Sequence, residues 1–403
     1  MRLSRRAALK AAGTAAIAPM INLGSFELFA QSKNNDKYSA RAIQLVQQST
    51  VMDLLNPFSL YAVIAPLAAP RGTVPRTWLN DPTTFSEASL VPFRESGINV
   101  YHIAVGTGGP NAYDETLRFL SQWNGFVAHH SDWFMRVDSP AMLANVKKSG
   151  KLGILLGVQN SEHFRSPGDV DFFYSIGQRI SQLTYNSRNL IGTGSTERND
   201  SGISDFGVAI VDRMNKLGMA VDLSHCGEMT SIDACSVSKQ PVLFTHANCY
   251  ALDPHPRCKS DAAIKKMAAT GGVMGITGVR MFVTAKEPTT IEDALNHYDH
   301  VAKLVGPEHV GVGSDIDLYG YDAMPEPLRK ALHSGYKSSY AFRDKDDIEG
   351  LNHPKRFFDI AEGLIRRGYS DQDISGILGG NFQRVLSKIW SVAPPPDPNQ
   401  KYG

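Results

Sequence analysis

The chain has 403 residues, of which 42% are hydrophobic and 20% charged, and its 41 basic and 40 acidic residues leave a formal net charge of +1. This composition is typical of a globular protein and excludes a disordered or collagen-like chain, while four cysteines are too few for a disulfide-rich scaffold. The chain also lacks the basic excess that a nucleic-acid-binding surface requires, so we expect no nucleic-acid partner.

The first 30 residues have the pattern of an export signal. Arg5 and Arg6 belong to a basic start, an apolar stretch covers about residues 11–23, and Ala30 precedes a polar sequence. These features are typical of a secretory signal, and the paired arginines indicate the twin-arginine route. The apolar stretch is too short to cross a bilayer, and an ordinary amphipathic helix is the alternative. We therefore predict a periplasmic or secreted protein with no stable membrane anchor.

Eight short runs rich in apolar and β-branched residues predict β-strands in the rest of the chain. They cover residues 50–55, 98–105, 153–159, 180–186, 220–225, 241–246, 272–277 and 310–315. Helical patterns such as 206–217 and 261–269 lie between them, so strands alternate with helices. This alternation predicts a (β/α)8 barrel, an α/β fold, as a single large domain over residues 31–392.

Two further features bear on the extent of this domain. No Gly-rich phosphate loop follows the first predicted strand, which disfavours the alternative of a doubly wound sheet. Residues 352–390 have helical patterns that we expect to close the barrel, and residues 393–403 form a Pro-rich tail.

Three of the predicted strands end on a residue type that binds metal ions, namely His225, His246 and Asp315. Because the carboxyl ends of barrel strands converge on one face, we expect these side chains to lie together. Two histidines and a carboxylate are a common ligand set for one catalytic metal ion, although a lone histidine at a strand end is more often structural. Arg257, in the loop after His246, is either a surface residue or a bidentate clamp for a substrate carboxylate.

Several segments between about residues 50 and 387 carry the pattern of a known enzyme family. They include Val221-Asp222-Leu223-Ser224-His225, Thr245-His246, His255-Pro256-Arg257, Gly271-Gly272-Val273, Gly311-Val312-Gly313-Ser314-Asp315 and Gly379-Gly380-Asn381-Phe382. With these segments the chain resembles the renal or membrane dipeptidases, which are zinc metallopeptidases with an amidohydrolase-like barrel. The resemblance implies a binuclear zinc site that hydrolyses dipeptides and related amides, in a protein that often forms homodimers.

The resemblance also implies roles for individual residues. It places His225 and His246 on the ligands of the second metal ion. It places Arg257 on the residue that binds the substrate carboxylate, and Asp315 on the residue near the bridging water.

The chain departs from the family at the residues that hold the first metal ion. The family's first strand carries Asp-Gly-His-Asn-Asp, and Leu55 and Pro57 stand here in place of the histidine and the last aspartate. The bridging glutamate corresponds to Gln159, and a substrate-side histidine corresponds to Tyr185. Two neighbouring cations need anionic ligands to offset their repulsion, so these changes argue against a binuclear site.

We therefore predict a site with one zinc ion and a water molecule in its open coordination position. The predicted metal ligands are His225, His246 and Asp315. The predicted catalytic residues are Asp315, Gln159 and Tyr185, and the predicted substrate-binding residues are Arg257 and Tyr185.

Other residues with metal-binding side chains lie near these positions. We interpret His102, Glu162 and His163 as core or loop residues rather than substitute ligands. Cys249 and Cys258 either pair in a disulfide, which an oxidising compartment permits, or remain buried thiols. A thiolate ligand to the metal is a third alternative.

Two functions remain open at this point. The first is an exported metal-dependent hydrolase that cleaves dipeptides or related small amides with a metal-activated water. The second is a one-metal or metal-free maturation enzyme, or a binding protein, for a peptide-like metabolite, without dipeptidase activity. The metal and substrate residues that the chain retains favour the first function, and the lost first-metal ligands favour the second.

Overall fold

The computed structural model describes residues 37–59, 62 and 76–392. The predicted export signal and the predicted Pro-rich tail lie outside the described residues. Among the helices in the described part of the chain, none is long and apolar enough to cross a membrane.

The described residues form one sheet of nine parallel strands. They are β1 (Met52–Asp53), β2 (Val100–Val105), β3 (Phe134–Arg136), β4 (Leu152–Val158), β5 (Gln178–Gln182), β6 (Ala220–Asp222), β7 (Val242–Ala247), β8 (Val273–Ile276) and β9 (Val310–Val312). Eight strands follow one another in the order β1-β2-β4-β5-β6-β7-β8-β9, and β3 pairs with β4 beside this path. All eight predicted strands are therefore present. The short β3 was not predicted.

The first and last strands close the sheet into a barrel. The Leu54 N–H donates to the Val312 carbonyl oxygen at 2.9 Å, and the Asp315 N–H donates to the Leu55 carbonyl oxygen at 2.8 Å. Just before them, the Asp53 carboxylate accepts hydrogen bonds from the N–H and the hydroxyl of Ser314, at 2.7 and 2.6 Å. The predicted (β/α)8 barrel is confirmed.

Helices surround the barrel and join its strands. The described helices are α1 (Ala40–Gln48), α2 (Glu87–Glu95), α3 (Ala112–His129), α4 (Pro140–Ser149), α5 (Pro167–Ser175), α6 (Asp205–Leu217), α7 (Glu228–Val237), α8 (Asp261–Ala269), α9 (Ile291–Val305), α10 (Glu326–Ser334), α11 (Arg356–Arg366), α12 (Asp371–Ser375) and α13 (Asn381–Trp390). Helix α6 shows how the sequence determines their ends. The Ser204 side chain accepts the Gly207 N–H at its start, and Gly218 adopts a φ of 80° after its end.

The core lies both inside the barrel and between the barrel and its helices. Every residue of β4 and β7 is buried, as expected for parallel strands that are covered on both faces. The inner space also holds polar side chains, among them His102, Gln182 and Asp222, each at most 1% exposed. These buried polar groups require hydrogen-bond partners, and that requirement shapes the site described below.

Several observed strands end before their predicted last residue, and the largest difference lies at β5. The predicted strand 180–186 lies instead at Gln178–Gln182, so Tyr185 and Asn186 follow the strand rather than ending it. Asn186 has a φ of 61°, which turns the chain away from the sheet at this point. Asparagine is one of the few residues that adopt this left-handed conformation readily.

We expect Gly157→Ala to lower the free energy of unfolding by about 1–3 kcal/mol, because the barrel interior has no space for a methyl group there. A Cβ at Gly157 would lie 2.1 Å from His102 Nε2. The His102 ring cannot easily move away, since its Nδ1 bonds to the Leu54 carbonyl oxygen at 2.5 Å. Urea unfolding measures the effect. The control is Gly125→Ala in α3, where a Cβ meets nothing within 4 Å. Equal stability of Gly157→Ala and the wild type would contradict this packing.

Candidate functional site

His225 and His246 lie together at the carboxyl end of the barrel. His246 belongs to β7, His225 follows β6, and both side chains are buried. Their Nε2 atoms are 2.9 Å apart. The Tyr185 ring stacks on the His225 ring, with 4.1 Å between the ring centroids. The structure therefore brings the two predicted histidines into direct contact.

The hydrogen-bond partners of the two imidazoles determine which ring nitrogens carry protons. His225 Nδ1 lies 2.7 Å from Asn186 Oδ1, an oxygen that can only accept. His246 Nδ1 lies 2.9 Å from Thr245 Oγ1. Thr245 donates its own hydroxyl proton to Asp222 Oδ2 at 2.7 Å, so Thr245 Oγ1 accepts from His246. Both imidazoles thus donate through Nδ1, and each presents an unprotonated Nε2 to the other.

The charge state of the pair leaves both Nε2 lone pairs unprotonated. Burial lowers the pKa of His225 and of His246 well below the usual value, and the positive charge of Arg257 lowers both further. Two neutral imidazoles whose lone pairs point at each other repel unless a proton or a metal ion lies between them. Metal-binding histidines typically donate their other ring N–H to a protein acceptor, as both do here. The pair therefore fits one divalent metal ion.

The surroundings do not offer the ligands of a second ion. In the part of the chain that the structure describes, no three His, Cys, Asp or Glu side chains are grouped closely enough to hold a metal ion. Asp315, the third predicted ligand, is thus not grouped with the two histidines. The end of β1 presents apolar side chains, since Leu55 is buried and Pro57 lines the cavity described below. The described residues thus offer two imidazoles to one ion, fewer than the three protein ligands usual at a catalytic zinc, and no ligand group for a second ion.

Asp315 follows β9 and lines the same cavity. Its backbone has a φ of 56°, a left-handed conformation that is uncommon outside glycine. Burial raises the pKa of its carboxyl to about 7, while the positive charge of Arg257 acts in the opposite direction. The carboxyl therefore takes up and releases a proton close to neutral pH.

Arg257 is a buried cation that forms no ion pair with a carboxylate among the described residues. It is 1% exposed, and its Nη atoms donate to the carbonyl oxygens of Ser224 and His246, the latter at 3.5 Å. Its Nε has no hydrogen-bond partner. A guanidinium carries five N–H donors, so Nε and further Nη protons remain for a ligand. A buried cation without a counter-ion is costly, and a ligand carboxylate would remove that cost.

A cavity of about 180 Å³ opens beside these residues. Its outer wall comes from residues 317–350, here called the cover segment, which connect β9 to the helices before the C-terminus and include α10. The cover segment contributes aromatic rings and one carboxylate to the wall, namely Tyr321, Tyr336, Tyr340, Phe342 and Asp346. The hydroxyl groups of Tyr185 and Tyr336 are 2.7 Å apart, which joins the cover segment to the loop after β5.

Gln159 and Tyr185, the two remaining predicted catalytic residues, both line the cavity. Gln159 Nε2 donates to the Ala104 carbonyl oxygen at 3.2 Å, so Oε1 is the end of the amide that can accept a bond from a ligand. Burial raises the pKa of Tyr185 well above its usual value, so the side chain is a neutral phenol. Its ring packs on His225, and its hydroxyl bonds to Tyr336 rather than pointing freely into the cavity.

The other candidates from the sequence are structural. His163 is fully buried between the Asn160 carbonyl oxygen and Gln178 Oε1, at 3.0 and 3.1 Å. Cys249 and Cys258 are free thiols, so the disulfide alternative is wrong. Their sulfur atoms face different carbonyl oxygens, those of His297 and Phe282, and burial raises the pKa of both thiols. Neutral thiols are poor metal ligands.

Sequence reasoning did not identify the residues that orient the histidines. Asn186 and Thr245 bond to the two Nδ1 atoms, and Asp222 holds Thr245 in turn. One signal for this network is visible in the sequence, where Asp222 interrupts the apolar run of β6. The cover segment gave no such signal, because its residues reach the cavity only through long-range contacts.

Known proteins share both this fold and its sequence pattern. A closed parallel barrel whose polar side chains converge at the carboxyl ends of its strands is the architecture of a large class of barrel enzymes. The family described as membrane dipeptidase, peptidase family M19, matches residues 40–334 and 340–397. The chain belongs to the membrane dipeptidase family.

Individual known proteins are similar to this chain in sequence or in structure. Dipeptidase verJ of Clonostachys rogersoniana is 32% identical over 281 residues, which are 69% of this chain and 66% of that protein. An amidohydrolase structure from Pseudomonas aeruginosa is 28% identical, with a TM-score of 0.73 over 87% of this chain and 99% of its own. The probable dipeptidase PvdM from Pseudomonas aeruginosa, 19% identical with a TM-score of 0.67 over 87% and 98%, shares the fold. The chain spans 66% and 63% of the length of the first two curated relatives it matches.

We expect Thr245→Val to lower the free energy of unfolding by about 1–3 kcal/mol, because the valine leaves Asp222 Oδ2 and His246 Nδ1 without their partner. Thr245→Ser retains the hydroxyl and should lose less. Urea unfolding in the presence of a chelator measures both variants without any contribution from a bound metal. If the valine and serine variants are equally stable, the hydroxyl does not connect Asp222 to His246.

Proposed function

We propose that this protein is an exported, metal-dependent hydrolase that cleaves dipeptides or related small amides. The observation that carries the proposal is the pair of imidazoles whose unprotonated Nε2 atoms face each other at 2.9 Å. Each ring donates its Nδ1–H to a protein acceptor, so both Nε2 atoms are available to bind a cation. Family membership and the dipeptidase relatives support the reaction type.

The metal proposed for this position is a single zinc ion held by His225 and His246. When bound, such an ion lowers the pKa of a bound water and polarises the carbonyl that the water attacks. Asn186 and Thr245 keep the two imidazoles in the tautomer that can bind it.

The residues of the chain itself supply the remaining requirements of amide hydrolysis. Arg257 binds the carboxylate of the substrate through its unused N–H donors. Gln159 Oε1 accepts an N–H of the substrate and orients it. As the water oxygen bonds to the carbonyl carbon and the C–N bond breaks, the Asp315 carboxylate takes a proton from the water and passes it to the leaving amine.

Export and assembly are further parts of the proposal. The twin-arginine pattern in residues 1–30 supports a periplasmic or secreted location. The dimer that the family resemblance implies stays a prediction, as does the absence of a stable membrane anchor.

We expect the purified protein to contain one equivalent of zinc, measured by elemental analysis after dialysis. His225→Ala and His246→Ala should each lose the metal, because one imidazole cannot hold it alone. Asp315→Asn should retain it if Asp315 acts on the proton, and should lose it if Asp315 is the third ligand predicted from sequence. His300→Ala, which alters a histidine bonded to Asp261 at 2.7 Å, is the control. Two equivalents of zinc, or an unchanged content in His225→Ala, would contradict the proposed site.

We expect metal-loaded protein to hydrolyse dipeptides at neutral pH, measured as release of free amino acids. Arg257→Lys should raise KM by about 10-fold or more, because a lysine ammonium cannot reproduce the fork of donors. Asp315→Asn should lower kcat by about 10²–10⁴-fold, the usual contribution of a general acid–base. Arg213→Lys, a change at an arginine paired with Asp171, is the control and should change neither constant.

Absence of turnover would favour the second function instead. A protein that is fully loaded with metal and binds dipeptides without cleaving them would be a maturation enzyme or binding protein for a peptide-like metabolite. The apolar residues at the end of β1 are the specific feature that favours this alternative.

A further inference from the structure

The outer wall of the cavity carries negative charge and aromatic rings but no positive charge. Among the described residues that line it, two are aspartates, Asp315 and Asp346, and none is a lysine or an arginine. Arg257 is not one of these lining residues, but its side chain bonds to Tyr340, which is. The carboxylates of the lining therefore favour a positively charged group, and the charge of Arg257 beside Tyr340 favours a negatively charged one.

Asp346 is the unusual member of this wall. It is 1% exposed, although the nearby Asp344 and Lys345 of the cover segment are exposed. His333 Nε2 donates to its Oδ2 at 2.7 Å, which holds the carboxylate in one orientation. Its Oδ1 has no hydrogen-bond partner among the residues that the structure describes. A buried carboxylate oxygen without a donor is costly to the free protein, and a donor supplied by a ligand would remove that cost.

Aromatic rings line the same cavity as this carboxylate. The rings of Tyr336 and Tyr340 are 4.5 Å apart, and Phe342 lies 5.1 Å from Tyr340. Phe342 also stacks on His333 at 3.9 Å, so the partner of Asp346 is fixed by the same cluster. Faces of aromatic rings attract cations, and a carboxylate among such rings is a typical receptor for an organic ammonium group.

We propose that Asp346 and the rings of Tyr336, Tyr340 and Phe342 form a subsite for an ammonium group on an organic ligand. Resting on the proposed function, this subsite binds the amine end of a zwitterionic substrate whose carboxylate is bound by Arg257. The site then recognises opposite charges at its two ends.

Calorimetric titration with two probes of equal shape tests the subsite without any need for turnover. The probes are 2-phenylethylammonium and the uncharged 2-phenylethanol. We expect the wild type to bind the ammonium about 10- to 100-fold more tightly than the alcohol, as a hydrogen bond to a charged group implies. Asp346→Asn retains an acceptor for His333 and should lose this preference. Asp344→Asn makes the same change at an exposed residue of the cover segment and should keep it.

Three results would overturn the subsite: equal affinity for the two probes, ammonium binding that Asp346→Asn leaves unchanged, or no ammonium binding in the millimolar range. Circular dichroism shows whether Asp346→Asn folds. If it does not fold, the comparison of the two probes on the wild type still tests the subsite. Dipeptide hydrolysis without ammonium binding would contradict only the subsite. Ammonium binding that depends on Asp346 in a protein without hydrolytic activity would contradict only the proposed function.

Discussion

The carboxylate of Asp222 is the group on which the chemistry of this barrel depends. It accepts four hydrogen bonds, from the N–H and the hydroxyl of Ser224 at 3.1 and 2.6 Å and from those of Thr245 at 3.0 and 2.7 Å. These bonds join the ends of β6 and β7, the two elements that carry the histidines. Because both hydroxyl protons point at Asp222, the Thr245 oxygen must accept the hydrogen bond that His246 Nδ1–H donates. A structural requirement, the satisfaction of one buried carboxylate, thereby determines the tautomer of a functional imidazole.

The parts of the structure that could be predicted from the sequence are those encoded locally. Each barrel strand is a short apolar run, and the residue that follows the run lies at the carboxyl face of the barrel. The eight strands other than β3 could therefore be predicted from local sequence. His225 and His246 were predicted with them. Asp346 was not found, because its position depends on distant contacts. The next residue, Asp347, accepts hydrogen bonds from the backbone N–H groups of Tyr321 and Asp322 at 3.0 and 2.7 Å. An irregular segment held by such contacts shows no periodic pattern of hydrophobic residues in its sequence.

The changes at the end of β1 have a physical consequence beyond the loss of ligands. A binuclear centre concentrates positive charge, and carboxylates around it balance that charge. Here Pro57 and Gln159 stand where the resemblance places an aspartate and a glutamate, while Arg257 keeps its buried positive charge without an ion-paired partner among the described residues. The nearby carboxyl of Asp315 lies in the field of that charge, yet burial still raises its pKa to about 7. The described site therefore has fewer carboxylates to balance metal ions than a two-metal site requires.

The contact between Tyr185 and Tyr336 links recognition of a ligand to the alignment of the imidazoles. Tyr185 stacks on His225, and its hydroxyl is bound to the cover segment, which Lys337 also ties to Glu197 at 2.9 Å. The position of the cover segment at Tyr336 therefore bears on the ring that packs against His225. The His246 imidazole has its own partner in Thr245, outside the cover segment, so the two halves of the metal-binding pair are supported by different parts of the chain.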